Sequence, residues 1–160
     1  VSELLSKYKI PHILIGGIAL SFYNCPRGTE DLDFIVDYEY PKIKDGLFGE
    51  IKFFSQRRAI YLPSKTPIDF IYKGDRYKGG NFEYPRTHES FNGVPVITLQ
   101  DLISFKIIAN RHKDLGDIQE LIRNNDLPID YMNKTKYDKT YSDIKKAKTI
   151  DELKQISLKG

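Results

Sequence analysis

The stretch RGTEDLDFIVD places two aspartates, Asp31 and Asp33, two residues apart in an apolar run. Side chains alternate faces along a strand, so residues i and i+2 project from the same side. Leu32, Phe34 and Val36 then turn one way, and Asp31, Asp33, Ile35 and Asp37 the other. Neighbouring carboxylates repel and raise a pKa unless positive charge lies between them. The pattern reads either as a solvated strand face or as a metal site. A third acid, Asp69, lies in PIDFI, and IDFIY repeats the form of LDFIV: a carboxylate between large apolar neighbours. If these two strands are neighbours in register, the three acids share one face. One or two divalent ions would turn that repulsive cluster into a hard-oxygen site, of the kind Mg²⁺ takes up beside nucleotide phosphates. Upstream, Gly16-Gly17 follows the apolar run HILI. Glycines between a strand and a helix let a ligand approach the backbone, and the N–H groups at the helix start favour an anion. A tight turn explains the pair about as well.

These residues need elements to position them. HILIG, 12–16, predicts a buried strand, and IALSFYN a helix behind the glycines. DLDFIVD and PIDFIYK, 67–73, predict two further strands, with KFFS and AIYL as shorter ones. Helices are expected over 2–8 and 41–48. Residues 74–87, rich in Gly, charge and aromatics, read as loop. HESFNGVPVI predicts a hairpin about Asn92-Gly93. From Leu99 the period becomes helical through Ala109. A second helix is expected from near Asp114 to Asn124, and one or two more lie within 137–158, over TYSDIKKAKT and DELKQISL. The architecture is a small α/β sheet core, residues 1–98, followed by a helical region, 99–160, packed on it in a single compact domain.

The 160 residues suit one domain, and 40% apolar content supports a core. The single cysteine, Cys25, excludes an internal disulfide framework, which predicts a cytoplasmic chain. No apolar run reaches the length of a membrane span, and no signal peptide is visible. The net charge of +3 identifies no partner. Residues 133–160 carry eight lysines against four acids. Such a tail tracks a phosphate backbone or forms a solvated helical face.

Taken together, Gly16-Gly17, thirteen intervening residues, Asp31-Leu-Asp33 and Asp69 resemble the signature of the nucleotidyltransferase superfamily of the DNA polymerase beta type. More narrowly, PRGTEDLDFIV and LISFKIIANRHKDLGDIQEL are similar to the AbiEii-like and related minimal nucleotidyltransferases of toxin–antitoxin systems. The shared features are Arg27-x-Thr29 before the acids, then Lys106-x-x-Ala109, Arg111 and Lys113-Asp114-x-x-Asp117. The resemblance covers roughly residues 12–123. It implies an α/β fold with a mixed sheet flanked by helices. It also implies metal-dependent transfer of a nucleoside monophosphate from a nucleoside triphosphate to an acceptor hydroxyl on RNA or protein, with a toxin–antitoxin pair as one setting. On that basis Asp31, Asp33 and Asp69 would hold Mg²⁺ or Mn²⁺, with Asp69 helping to activate the acceptor. Gly16, Gly17, Arg27 and Lys106 would contact nucleotide, and an antitoxin would be a partner. Two departures stand out: many members carry Gly-Ser where this chain has Gly16-Gly17, and little chain lies beyond the core to grip an acceptor.

Each residue also has a plainer role. Arg27 could pair with Glu30 or Asp31. Lys106 could snorkel to the surface or meet a buried anion. On a continuous helix Lys106, Lys113 and Asp117 would share a face, and Gly116 argues against that continuity. Asp114 reads equally as a helix N-cap. His12, His88 and His112 lack metal-ligand spacing. Tyr72, Tyr77, Phe82 and Tyr84 could stack a base or simply pack. Two whole-chain alternatives stand beside the transferase. One is a non-catalytic binder of nucleotide, RNA or a partner protein on the same fold; the other is an α/β domain whose acids are surface residues.

Overall fold

The computed structural model describes the chain apart from residues 29, 30, 47, 48, 78, 79, 82 and 160, and apart from the side chains of 44–46, 77, 80, 81, 158 and 159. The described residues cluster into two compact units. One contains Val1–Phe22 and Pro26–Ile97; the other contains Tyr23–Cys25 and Thr98–Gly160.

The first unit is built on a sheet. Helix α1, Ser2–Lys7, buries Leu4 and Leu5. Strand β1, His12–Ile15, is buried at all four positions, as an apolar run covered on both faces must be. Helix α2, Gly16–Phe22, follows without a break and packs on β1 and on strand β2, Leu32–Val36. Helix α3, Tyr40–Gly46, leads to strands β3, Ile51–Phe53, β4, Arg58–Tyr61, and β5, Thr66–Tyr72. Residues 47 and 48, the expected end of α3, lie outside the described set. A two-residue ribbon, β6, Arg76–Tyr77, with β7, Gly80–Asn81, occupies the expected loop. The expected hairpin forms from β8, Glu89–Phe91, and β9, Val94–Val96. Its turn residues Asn92 and Gly93 have φ of 51° and 81°. Two successive positive φ values suit the right-handed twist of the flanking strands, and Asn-Gly adopts them at least strain.

Among the described residues, seven strands form one mixed sheet in the order β3-β4-β5-β2-β1-β9-β8. Strand β2 pairs antiparallel with β1 and parallel with β5. In β5, Ile68, Phe70 and Tyr72 are buried and alternate with less buried Asp69 and Ile71. Phe34 and Phe70, neighbours in register, stack with ring centroids 6.4 Å apart. Phe70 also stacks on Phe53, at 5.6 Å. This aromatic layer fixes β2 against β5, and so fixes what stands beside it.

The second unit is helical. Helix α4, Leu99–Ala109, is capped by Thr98, whose hydroxyl accepts from the Asp101 N–H at 3.2 Å. It ends at Asn110, in the left-handed conformation with φ 52°. Helix α5, His112–Asn124, starts two residues before the expected Asp114. Asp114 is not its N-cap; it is the third helical residue, and its carboxylate accepts from the Arg111 N–H at 3.2 Å, the return half of a capping box. Gly116 lies inside α5, so the break between Lys106 and Asp117 falls at Asn110 and not at the glycine. Helices α6, Asp138–Lys146, and α7, Ile150–Lys159, complete this unit. Tyr141 and Ile144 of α6 are buried with Leu115, Ile118 and Leu121 of α5.

Candidate active site

The register of four strands places the expected acids. Ile15 of β1 stands opposite Asp33 of β2, Asp33 opposite Asp69 of β5, and Asp69 opposite Arg58 of β4. Directly opposed residues project from the same face, so Ile15, Asp33, Asp69 and Arg58 form one row across the sheet. The twin runs LDFIV and IDFIY are neighbours in register, paired in parallel, and their carboxylates lie side by side.

The electrostatics follow from that row. Asp33 is half-buried, and its pKa is raised from 3.8 to about 6. Burial is the largest cause. The charges of Asp69 and Asp31 add to it, as does a side-chain hydrogen bond with Asp69, while Arg58 opposes it. Arg58 bonds directly to Asp69, with Nε 3.0 Å from Oδ1 and a side chain 63% exposed against 34% for Asp69. One acid of the pair thus has a guanidinium against it, and the other is pressed into a site that disfavours its charge.

Gly16 belongs to this site through its lack of a side chain. Its φ is 72°, in the left-handed region. A Cβ there would collide with Asp33 Oδ2 and lie 2.8 Å from Asp33 Cγ. The glycine that follows β1 and opens α2 therefore leaves the space in which the Asp33 carboxylate lies. This is a packing requirement, distinct from the nucleotide contact expected of Gly16.

Asp31 lies one residue before β2 and so outside the regular alternation, yet it is near enough for its charge to raise the Asp33 pKa. Among the described residues, no group of three or more His, Cys, Asp or Glu side chains is placed to hold a metal ion. The structure pairs Asp33 with Asp69 and leaves Asp31 as an electrostatic neighbour. The donor set still fits a hard divalent cation: two carboxylates stand side by side on one face of the sheet, and burial together with the Asp69 charge raises the pKa of Asp33.

The remaining expected residues are placed as follows. Gly17 is the second residue of α2. Arg27 donates to the Pro26 carbonyl at 3.3 Å, and Glu30, one of its two expected partners beside Asp31, lies outside the described residues. Lys106 belongs to the helical unit, where its Nζ lies 2.9 Å from Asp117 Oδ2 and 3.6 Å from Asp114 Oδ1. One of these partners is a buried carboxylate, Asp114 being only 1% exposed. His12 is a structural residue: Nδ1 bonds the Ile10 carbonyl at 2.9 Å, Nε2 lies 2.7 Å from the Ser2 hydroxyl, and burial lowers its pKa. Tyr72 packs against Phe70, its hydroxyl donating to the Gln56 carbonyl at 2.7 Å. Phe82 and the Tyr77 side chain lie outside the described set.

Arg58 is the residue that sequence reasoning missed. Arg57-Arg58 before the strand AIYL was its only trace, and a one-residue change of register would have put Arg57 opposite Asp69 instead. Arg57 in fact pairs with Asp75, at 3.5 Å.

No family model matches the sequence, and no curated protein matches it. Solved structures do. They include an antigenic nucleotidyltransferase-like protein from Paracoccidioides brasiliensis, 16% identical with a TM-score of 0.54, the match covering 96% of this chain and 88% of that one. JHP933 from Helicobacter pylori is 14% identical, with a TM-score of 0.42 over 99% and 88%. The antibiotic-resistance factor ANT(2'')-Ia is 12% identical, with a TM-score of 0.45 over 98% and 85%. The first of these likenesses, spanning nearly all of both chains, shows that this mixed sheet with its flanking helices is a nucleotidyltransferase-like fold.

Proposed function

We propose that the protein is a metal-dependent nucleotidyltransferase that moves a nucleoside monophosphate from a nucleoside triphosphate to an acceptor hydroxyl. The observation that carries this reading is the Asp33–Asp69 pair, held side by side in parallel register with Gly16 cleared away from Asp33. Asp33 and Asp69, with Asp31 beside them, would hold Mg²⁺ or Mn²⁺. Such an ion, when bound, supplies charge neutralisation at the α-phosphate and an activated acceptor oxygen. Asp69 orients the acceptor hydroxyl and takes its proton as the new P–O bond forms and pyrophosphate leaves. Arg58, already on Asp69, fixes that carboxylate and adds positive charge at the edge of the site. Gly17 and Arg27 are proposed contacts of the triphosphate. The acceptor is taken to be RNA or protein, and a role in a toxin–antitoxin pair rests on the AbiEii-like sequence blocks.

The test is transfer of label from α-labelled ATP, GTP, CTP and UTP to total RNA and protein in the presence of Mg²⁺. Transfer by the parent and none by Asp33→Asn or Asp69→Asn supports the reading. Equal transfer by the parent and both variants would overturn it.

A second reading has its own observation. Arg58 already balances Asp69, and no three-acid group is assembled among the described residues. A nucleotidyltransferase-fold protein that binds nucleotide, RNA or a partner without catalysis would look this way. It predicts nucleotide binding, seen as a raised melting temperature, with no incorporation of label.

A further inference from the structure

A cavity of about 520 Å³ opens at the end of the sheet where β1 begins, between the turn after α1 and the segment 84–88. The acid pair stands where β1 ends. Three residue steps of β1 separate His12 from Ile15, so the cavity and the pair lie about 10 Å apart along the strand.

The lining is one-sided in charge. Lys9 and Arg86 bring positive charge to it, and no Asp or Glu lines it. The chain as a whole holds 25 basic and 22 acidic residues, so a wall with cations alone departs from its average surface. Among the described residues, neither Lys9 nor Arg86 is ion-paired. The rest of the wall is a ring-bearing and apolar surface, from Tyr84, Ile10, Pro11, Pro85 and Pro95. His12 closes the wall without being available to a ligand. Both its ring nitrogens are engaged, and its ring meets Phe34 edge-on, with centroids 5.6 Å apart.

We propose that this cavity is a second ligand site, which binds a nucleoside monophosphate: a phosphate group on a ring body. Three features select that class. The guanidinium fork of Arg86 matches a phosphate bidentately, and Lys9 adds a compact charge beside it. The tyrosine and proline walls present flat apolar surface to a base or sugar. The volume falls in the range of small-molecule sites, and a few convergent polar groups in an otherwise apolar lining are their usual composition. The site is distinct from the acid pair, because its residues are cationic and need no metal to attract a phosphate.

The test uses AMP as probe, with adenosine and inorganic phosphate as partial ligands, measured by isothermal titration calorimetry on the full chain. EDTA is present throughout, which silences any cation-dependent binding at Asp33 and Asp69. AMP is expected to bind at least tenfold more tightly than either fragment. The double variant Lys9→Ser/Arg86→Ser, at two exposed positions, is expected to weaken AMP at least tenfold while keeping the parent's melting temperature. Asp33→Asn is expected to bind AMP as the parent does. No binding at millimolar AMP overturns the proposal, as does equal affinity in the parent and the double variant. Loss of AMP binding in Asp33→Asn overturns it too, by moving the ligand to the acid pair. If the double variant is unfolded, Arg86→Lys decides: it keeps the charge but not the fork, and unchanged affinity there also overturns the proposal.

Discussion

Replacing Asp33 by Asn removes one charge from the acid pair at nearly constant volume. The magnitude follows from the site. A rise of the carboxyl pKa from 3.8 to about 6 on folding corresponds to a ceiling of about 3 kcal/mol against the ionised form. Asp33 is only half-buried, so solvent screening reduces this, and about 1–2 kcal/mol is the expected penalty. Its sign is fixed by linkage. The folded state holds the proton more tightly than the unfolded chain, so stability falls as pH rises from about 4 to 6. Below pH 4 the carboxyl is neutral in both states and the penalty is absent. Above pH 6 it is fully present.

Asp33→Asn should therefore match the parent at pH 3.5 and exceed it by about 1–2 kcal/mol at pH 8. The amide can still donate to Asp69, so the hydrogen bond between the two residues survives the change. Urea denaturation in EDTA, run across that pH range on both proteins, measures the gap. In parallel, the variant should lose nucleotide transfer and any stabilisation by Mg²⁺ with a triphosphate. A gap that does not change with pH would refute the electrostatic reasoning. A variant less stable than the parent at pH 8 that still transfers nucleotide would remove Asp33 from the site altogether.

Four further outcomes are expected. Gly16→Ala should destabilise the fold by about 1–3 kcal/mol from backbone strain alone, and more from the collision with Asp33; the double variant Gly16→Ala/Asp33→Ala should regain part of the loss in a thermal scan. Arg58→Met should raise the Asp33 pKa further, since the guanidinium opposes its rise, and should change stability by less than about 1 kcal/mol as an exposed pair does; a carbon-13 titration of the Asp33 carboxyl reads the first and urea denaturation the second. Lys106→Met should destabilise by about 3 kcal/mol, because Asp114 and Asp117 lose the cation they share; an unchanged urea midpoint would refute that account. Tyr141→Phe should cost about 1 kcal/mol, since the hydroxyl of this fully buried ring donates to the Pro128 carbonyl at 2.7 Å.

Some of this was legible because it is local. Asn92-Gly93 specifies its own turn, since both residues tolerate positive φ. The likeness of LDFIV and IDFIY signalled two strands of the same environment; that they pair in parallel is set by the topology and not by either run. The start of α5 was misplaced by two residues because Asp serves equally well as N-cap or as third residue of a capping box, and only the Arg111 backbone decides which. The β6–β7 ribbon was missed because two residues a side carry no periodicity. Arg58 was missed for a deeper reason. Which of two adjacent arginines faces Asp69 depends on the antiparallel register of β4 on β5, and that register is set by the whole hairpin rather than by either residue.

The two acids of the pair are not equivalent, and the difference bears on what the site is for. Asp69 is the more easily explained: a cross-strand guanidinium at 3.0 Å makes it an ordinary opposite-charge pair. Asp33 has no such simple account. Every large contribution at its carboxyl except that of Arg58 opposes ionisation, and the chain gives up a side chain at Gly16 to accommodate it. An amide or a small apolar residue at position 33 would serve the fold better. Departures of this kind, where one residue works against the local stability of an otherwise consistent strand, concentrate at functional sites, as do carboxyls with raised pKa values. A bound cation reverses the sign of the effect, because the ionised form that the apo fold disfavours is the form that ligates. The structural cost of Asp33 and its proposed function are thus one property, observed without and with positive charge at the pair.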